Sequence, residues 1–271
     1  MDPILNRDLP EVRLRAFRAI DEPETCLKFL KGHEEVLSHI GVKKVTSSTP
    51  EWMHNPAAFV IIVESLDKSR VYGGFRIHIA GGTESLPIEQ ATGHLDPKVY
   101  NLVKKYAQYG TGEGCGLWNS REIAGYGIGS IFLTRAGVAI SKIIGIKSLF
   151  GLCAPYTVKL AESVGYRPDK RLGNNGTFYY PKIDLLATVV IMEDINDLSN
   201  ASEENRQAIE ALRNSLKMVR IEKLRNKRIK IHYDIDIPHL ENWDLKATIE
   251  NALKKDNNTP KYSINESINL F

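Results

Sequence analysis

Residues 113–166, EGCGLWNSREIAGYGIGSIFLTRAGVAISKIIGIKSLFGLCAPYTVKLAESVGY, decide the fold class. The run 114–120 has strand character, and residues 125–145 pass from a glycine-rich turn into a helix with an apolar face. The run 147–153 is a short apolar strand, and the helical stretch after Pro155 stops at Gly165. Strand, helix, strand in that order needs a crossover connection. The spacing therefore predicts a parallel strand pair within 113–153 and an α/β (α+β mixed) fold.

Gly125, Gly127 and Gly129 stand where the strand turns into the helix. Such a turn presents several backbone N–H groups at a helix N-terminus, a place that suits a pyrophosphate. Glycine lets the backbone approach the phosphates without a Cβ in the way. The dinucleotide fingerprint needs its third glycine where Ser130 stands, and no Gly-Lys-Ser/Thr follows for a Walker motif. A tight strand-to-helix turn without a ligand stays open as the plainer explanation.

Upstream, 12–20 suits a first strand. Pro23 opens a helix with Leu27, Leu30, Val36, Leu37 and Ile40 at roughly helical spacing and Gly41 as its stop. Residues 46–57 read as a loop, and 58–82 as a hairpin turning at Asp67-Lys68-Ser69. A helix is expected over 97–109, and one or two closing strands over 177–194. Past Asp194 the chain turns polar and charged. It reads as a largely helical C-terminal extension, 196–271, whose first helix runs from Ser202 to about Arg228. Residues 1–195 form the main domain in this division.

Composition bounds the function. Across 271 residues, 42% are hydrophobic and 25% charged, and a net charge of +3 is too small to argue for nucleic acid. Cys26, Cys115 and Cys153 lie far apart with no CxxC pair, which rules out a zinc ribbon and fits a reducing cytoplasm. No apolar run reaches the length of a membrane span or a signal peptide.

The stretch from Glu113 to Tyr166 resembles the GNAT acyltransferase superfamily, with Glu113, Gly127, Gly129, Gly145 and Gly165-Tyr166 in the order of its signature. The resemblance implies a mixed central sheet with a splayed parallel strand pair, flanked by helices. It also implies transfer of an acetyl or longer acyl group from acetyl-CoA or another acyl-CoA to a small primary amine, without a metal. Coenzyme A would contact the turn through Ala124, Gly125, Tyr126, Gly127, Ile128, Gly129 and Ser130, and Leu117 or Trp118 would offer a backbone N–H to the thioester carbonyl. Glu113 becomes the general base and Tyr156 the acid for the leaving thiolate. The chain departs from the pattern where Ala124 replaces the Arg or Gln that opens the turn, with Arg121 nearby, and where Ala161 takes the usual tyrosine position. Those departures keep open a non-catalytic coenzyme A-binding sensor or scaffold.

A narrower stretch, Gly73, Arg76, Ile77, Leu86, Pro87 and Glu89, is similar to the N-acyl amino acid synthase and acyl-homoserine-lactone synthase branch. It makes Arg76 and His78 candidate substrate-binding residues and acyl carrier protein a candidate partner. The basic residues Lys217, Arg220, Lys223, Arg225, Lys227, Arg228 and Lys230 would suit that acidic partner, although a solvated helix face explains them more simply. Cys153 is a conceivable acyl carrier and otherwise a structural cysteine. His232 and His239, with Asp234 and Asp236 between them, fit strand alternation better than a metal site. A homodimer is also compatible with the sequence.

Overall fold

The computed structural model describes residues 9–39, 41–42 and 50–254. Ile40, residues 46–49 of the expected loop and the polar tail beyond Lys254 lie outside the described residues.

The chain begins with β1 (Glu11–Arg18), in which Val12, Leu14 and Ala16 are buried while Glu11, Arg13 and Arg15 between them are partly exposed. Helix α1 (Pro23–His39) follows, with Cys26, Phe29 and His33 on its buried stripe. A short 3-10 helix, Pro50–His54, carries the buried Trp52. Strands β2 (Ala58–Glu64) and β3 (Val71–Ile79) form the expected hairpin. Next come α2 (Pro87–Thr92), α3 (Lys98–Ala107) and β4 (Thr111–Asn119). The six-residue α2 lacks the length for a periodic signal. The Glu89 carboxylate holds its start by accepting the Leu86 N–H at 2.8 Å.

After the glycine turn, one widened helical turn, Ile128–Phe132, leads into α4 (Leu133–Ile143). Then follow β5 (Ser148–Cys153), α5 (Pro155–Ser163), β6 (Arg167–Pro168), β7 (Thr177–Tyr179) and β8 (Leu186–Met192). The chain continues with α6 (Glu203–Asn214), β9 (Lys217–Leu224), β10 (Lys227–Asp234) and α7 (Leu245–Lys254).

All ten strands belong to one mixed sheet in the order β6-β8-β5-β4-β3-β2-β1-β10-β9, with β7 also paired to β8. β4 runs parallel to β5, as the crossover requires, and β10 runs parallel to β1. The continuous apolar run of β2 follows from burial on both faces. Its Phe59, Ile61 and Val63 join the core under α4, while Ala58, Val60 and Ile62 join Phe29 and Trp52 under α1. No helix among the described residues is long and apolar enough to cross a membrane.

The C-terminal stretch differs from expectation. The helix from Ser202 ends at Asn214, and residues 217–234 form a β-hairpin at the sheet edge. Ile229, Ile231 and Tyr233 alternate into the core, a period-2 pattern that wins once β1, from the far end of the chain, supplies a partner. The basic run therefore lies on two strands and their turn rather than on a helix face. Arg135 of α4 anchors this part of the chain. Its guanidinium donates to Asn205 Oδ1 at 2.7 Å and to Glu204 Oε1 at 2.7 Å, and lies 3.7 Å from Glu222 Oε2. Near the C-terminal end, Trp243 Nε1 donates to the Ile144 carbonyl at 3.0 Å, and its ring meets Phe59 edge-on.

Candidate active site

β4 and β5 pair from Thr111↔Ser148 to Gly114↔Gly151 and then separate. Beyond that point β4 follows β3, while β5 follows β8 through Leu152↔Val189 and Cys153↔Thr188. Local backbone explains the divergence: Gly116 is left-handed at φ +59°, and the β3–β4 register shifts between Gly74 and Arg76. Both residues of the last pair are glycines. A Cβ on Gly114 would fall 2.5 Å from Phe75 Cζ, so a side chain there would crowd the opening.

A cavity of about 230 Å³ occupies the gap. Its walls include Glu113, Leu117, Cys153, Leu160 and Tyr166, together with His33 and Leu37 of α1. Glu113 is 2% exposed and carries the only carboxylate among the cavity-lining residues described. Burial pushes its pKa up to about 8, against the lowering effect of a hydrogen bond from the Ile88 N–H at 2.6 Å. The carboxyl therefore keeps its proton through neutral pH and becomes a carboxylate base only as pH passes about 8. The same contact caps α2, so Glu113 also has a structural role.

The other expected residues divide by burial. Tyr156 sits at the cavity rim, 72% exposed. Tyr166 lines the cavity from within, and its hydroxyl lies 3.3 Å from where a Gly114 Cβ would be. Burial raises its pKa well above the ordinary phenol value. Leu117 borders the cavity beside the β3–β4 register shift, whereas the Trp118 indole is buried under α1 beside Phe29. Arg76 and His78 share the Glu113 face of the sheet but do not line the cavity. α1 and the 50–54 helix cover them, and the Arg76 guanidinium stacks 4.0 Å over Trp52 and 5.3 Å from Phe29. Direct substrate contact, as expected from the sequence, is not what this packing provides. Cys153 lines the cavity as a thiol, since burial lifts its pKa to about 11, and that opposes a nucleophilic role.

At the glycine turn, Gly125 and Gly127 have φ +83° and +79°, conformations that favour glycine. Gly129 answers a different need. A Cβ there would fall 1.7 Å from Asn119 Cβ, so its bareness lets the helix start pack against β4. The N–H groups of Ala124, Tyr126 and Ser130 are already engaged within the turn, by Arg121, Ile123 and Gly127 carbonyls at 3.1, 3.2 and 3.2 Å. Among the described residues, no turn carbonyl engages the N–H groups of Gly125, Gly127, Ile128 and Gly129. Arg121 is exposed beside the turn.

Lys227 joins the turn from a distance that sequence reasoning did not bridge. From the start of β10 it reaches back across the chain, donates through Nζ to the Ala124 carbonyl at 2.9 Å, and lies 4.3 Å from the centre of the Tyr126 ring. Its place in a basic run was legible, but no local pattern links residues 124 and 227. In the basic hairpin, His232 bonds Glu11, and Lys217 lies 3.2 Å from Asp236 and 3.7 Å from Asp234, so ordinary charge pairs account for these residues.

No family model matches the sequence, and no curated protein matches it. Solved structures do. An N-acyl amino acid synthase from uncultured soil microbes, FeeM, aligns over 72% of this chain and 97% of its own at 12% identity, with a TM-score of 0.53. A CoA-dependent acyl-homoserine lactone synthase aligns over 89% of this chain and 99% of its own at 12% identity and a TM-score of 0.49. A mosquito arylalkylamine N-acetyltransferase-like protein covers 67% of this chain and 99% of its own at 16% identity and a TM-score of 0.45. The splayed parallel pair, the glycine turn before α4 and the likeness to the N-acyl amino acid synthase together give this chain a GNAT-like fold.

Proposed function

We propose that this protein is an N-acyltransferase that moves an acyl group from a coenzyme A-type thioester to the amine of a small molecule by direct attack. The observation that carries this reading is Glu113. A buried carboxyl with a pKa raised to about 8 faces the cavity where the central strands part. A base so placed can take the proton of an attacking amine, directly or through water. In this scheme the amine nitrogen bonds to the thioester carbonyl carbon, the C–S bond breaks, and the thiolate leaves with a proton returned by an acid.

The acid role expected of Tyr156 passes to Tyr166, because Tyr156 is open to bulk water and Tyr166 presents a protonated hydroxyl inside the cavity. The turn residues Gly125, Gly127, Ile128 and Gly129 would hold the pyrophosphate of the donor. Apolar walls at Leu117, Leu152 and Leu160 give more room than an acetyl group needs and favour a longer acyl chain. Acyl-CoA and an acyl carrier protein offer the same phosphopantetheine arm, and rates with each donor decide between them.

Thiol release from a series of acyl-CoA esters, measured with a panel of small amines, tests the reading. The Ile88 cap on Glu113 favours one alternative, a coenzyme A-binding scaffold in which the carboxyl is purely structural. If coenzyme A raises the thermal midpoint while no amine releases thiol, the scaffold reading replaces the enzyme.

Lys227 should act on the donor side alone. Its ammonium lies against the turn that would hold the phosphates, and a charge-assisted contact of this kind contributes about 1.5–3 kcal/mol. Lys227→Ala is expected to raise KM for acyl-CoA by about tenfold, with kcat and the amine KM little changed and Lys227→Arg largely restored. An unchanged acyl-CoA KM in the alanine variant would remove Lys227 from the donor site.

A further inference from the structure

We infer that His33 is a specificity-determining residue of the cavity, hydrogen-bonding an oxygen of the acyl acceptor from the α1 wall. This inference rests on the acyl-transfer reading above and names what the acceptor carries besides its amine.

His33 occupies a position that helix geometry assigns to an apolar side chain. It continues the stripe of Cys26 and Phe29, and its ring lies 6.2 Å from the Phe29 ring at 60°. The residue is 5% exposed and lines the same cavity as Glu113. Its Nδ1 is sealed from solvent with no hydrogen-bond partner among the described residues. An unsatisfied buried polar atom costs about 1–3 kcal/mol, so an imidazole here weakens the fold unless something completes it.

Three further ring nitrogens around Phe29 and Trp52 are in the same condition: Trp52 Nε1, Trp118 Nε1 and His78 Nε2. The Trp52 and Trp118 rings lie 5.6 and 5.7 Å from Phe29, and His78 lies 6.5 Å from Trp52. Indole N–H groups donate only. Of these four side chains only His33 lines the cavity, so it alone carries an unanswered ring nitrogen to the cavity wall.

The chemistry of His33 restricts its role. Burial first, and the Arg76 charge second, push its pKa down to about 3, so the ring is neutral and has no capacity to serve as base. Neutral imidazole still offers one donor and one acceptor.

Its location assigns the ligand. α1 lies on the Glu113 face of the sheet, packed so closely on β4 that a Cβ at Gly32 would fall 2.1 Å from the Trp118 ring. The glycine turn and α4 belong to the opposite face, where a Cβ at Gly137 would fall 2.4 Å from the Phe75 ring. A donor arriving over the turn leaves the space between Glu113 and His33 to the attacking amine.

The test compares two amines of equal length, one bearing a hydroxyl or carboxylate near the amine and one a plain alkylamine. Wild-type protein should prefer the oxygenated amine by about tenfold in kcat/KM, the worth of one buried hydrogen bond to a neutral group. His33→Phe, which fills the same stripe beside Phe29, should abolish that preference while leaving the acyl-CoA KM and the pH profile as they are. His33→Asn, which keeps a donor and an acceptor, should retain most of it. A His33→Phe protein with the wild-type preference, or one that loses rate equally on both amines, overturns the inference. Should the phenylalanine variant fail to fold, an unchanged preference in His33→Leu overturns it equally. If wild-type protein transfers acyl groups to no amine, the acyl-transfer reading itself fails. Thermal-shift titration of the two amines against wild type and His33→Asn then judges His33 alone, and equal shifts for both amines in wild type overturn it.

Discussion

Glu113→Gln is expected to lower kcat/KM for acyl transfer by about 10²–10⁴, the usual worth of a positioned general base. The substitution keeps the shape of the side chain and an oxygen to accept the Ile88 N–H, so α2 stays capped. What disappears is the group able to take the amine proton. In wild type, kcat/KM should rise with pH and level off above about 8, because the carboxyl works only after losing its proton. A deprotonating amine adds its own limb, but only the limb near 8 should vanish in Glu113→Gln.

The sign of the stability effect is opposite to that of activity. The folded pKa of Glu113 is raised above its unfolded value, so between about pH 4.5 and 8 the native state keeps a proton the unfolded chain has released. Stability should fall with rising pH across that window, and the glutamine variant escapes the fall because its amide cannot ionise. The thermal midpoint of Glu113→Gln at pH 8 should therefore be no lower than wild type. A variant that keeps full rate and pH profile would remove Glu113 from catalysis, and one that loses rate by unfolding would show it in the midpoint.

Arg135→Ala is expected to cost roughly 3 kcal/mol of stability, read as a lower urea midpoint at unchanged slope. Arg135 is 4% exposed and joins α4 to both α6 and β9 through Asn205 and Glu222. Removing it leaves Glu222, itself 7% exposed, short of a cation in the interior. The expected loss sits at the low end for a broken buried pair because Arg220 Nε at 3.2 Å and the Tyr233 hydroxyl at 3.1 Å still hold that carboxylate. The exposed partner Glu204 adds little. Combining Arg135→Ala with Glu222→Gln should recover part of the loss, since the stranded charge goes with it. A loss below about 1 kcal/mol would show that the network is not what fastens the hairpin to α4.

Much of the sheet's centre is legible in the sequence, because its signals are local. The apolar run of β2, the crossover between β4 and β5 and the glycines of the turn each depend on residues close to one another along the chain. Expectation failed where a partner is distant. Residues 217–228 carry charge at a spacing a helix accepts, and only pairing of β10 with β1 makes strands the better state. Arg76 and His78 were legible as candidate substrate-binding residues, but nothing local tells that α1 and the 50–54 helix close over them. The short α2, held by Glu89 and capped by Glu113, is set by contacts rather than by propensity.

By itself the sequence determined an α/β chain with a parallel pair, a glycine turn that opens a helix, and a glutamate beside the pair. Periodicity and glycine chemistry act over a few residues and need no tertiary contact. The tertiary structure alone decided that Glu113 is buried enough to titrate near 8, that His33 lines the same cavity, and that Lys227 lies on the turn. Desolvation, cavity walls and long-range charge contacts are properties of residues brought together from across the chain, and no spacing along the chain encodes them.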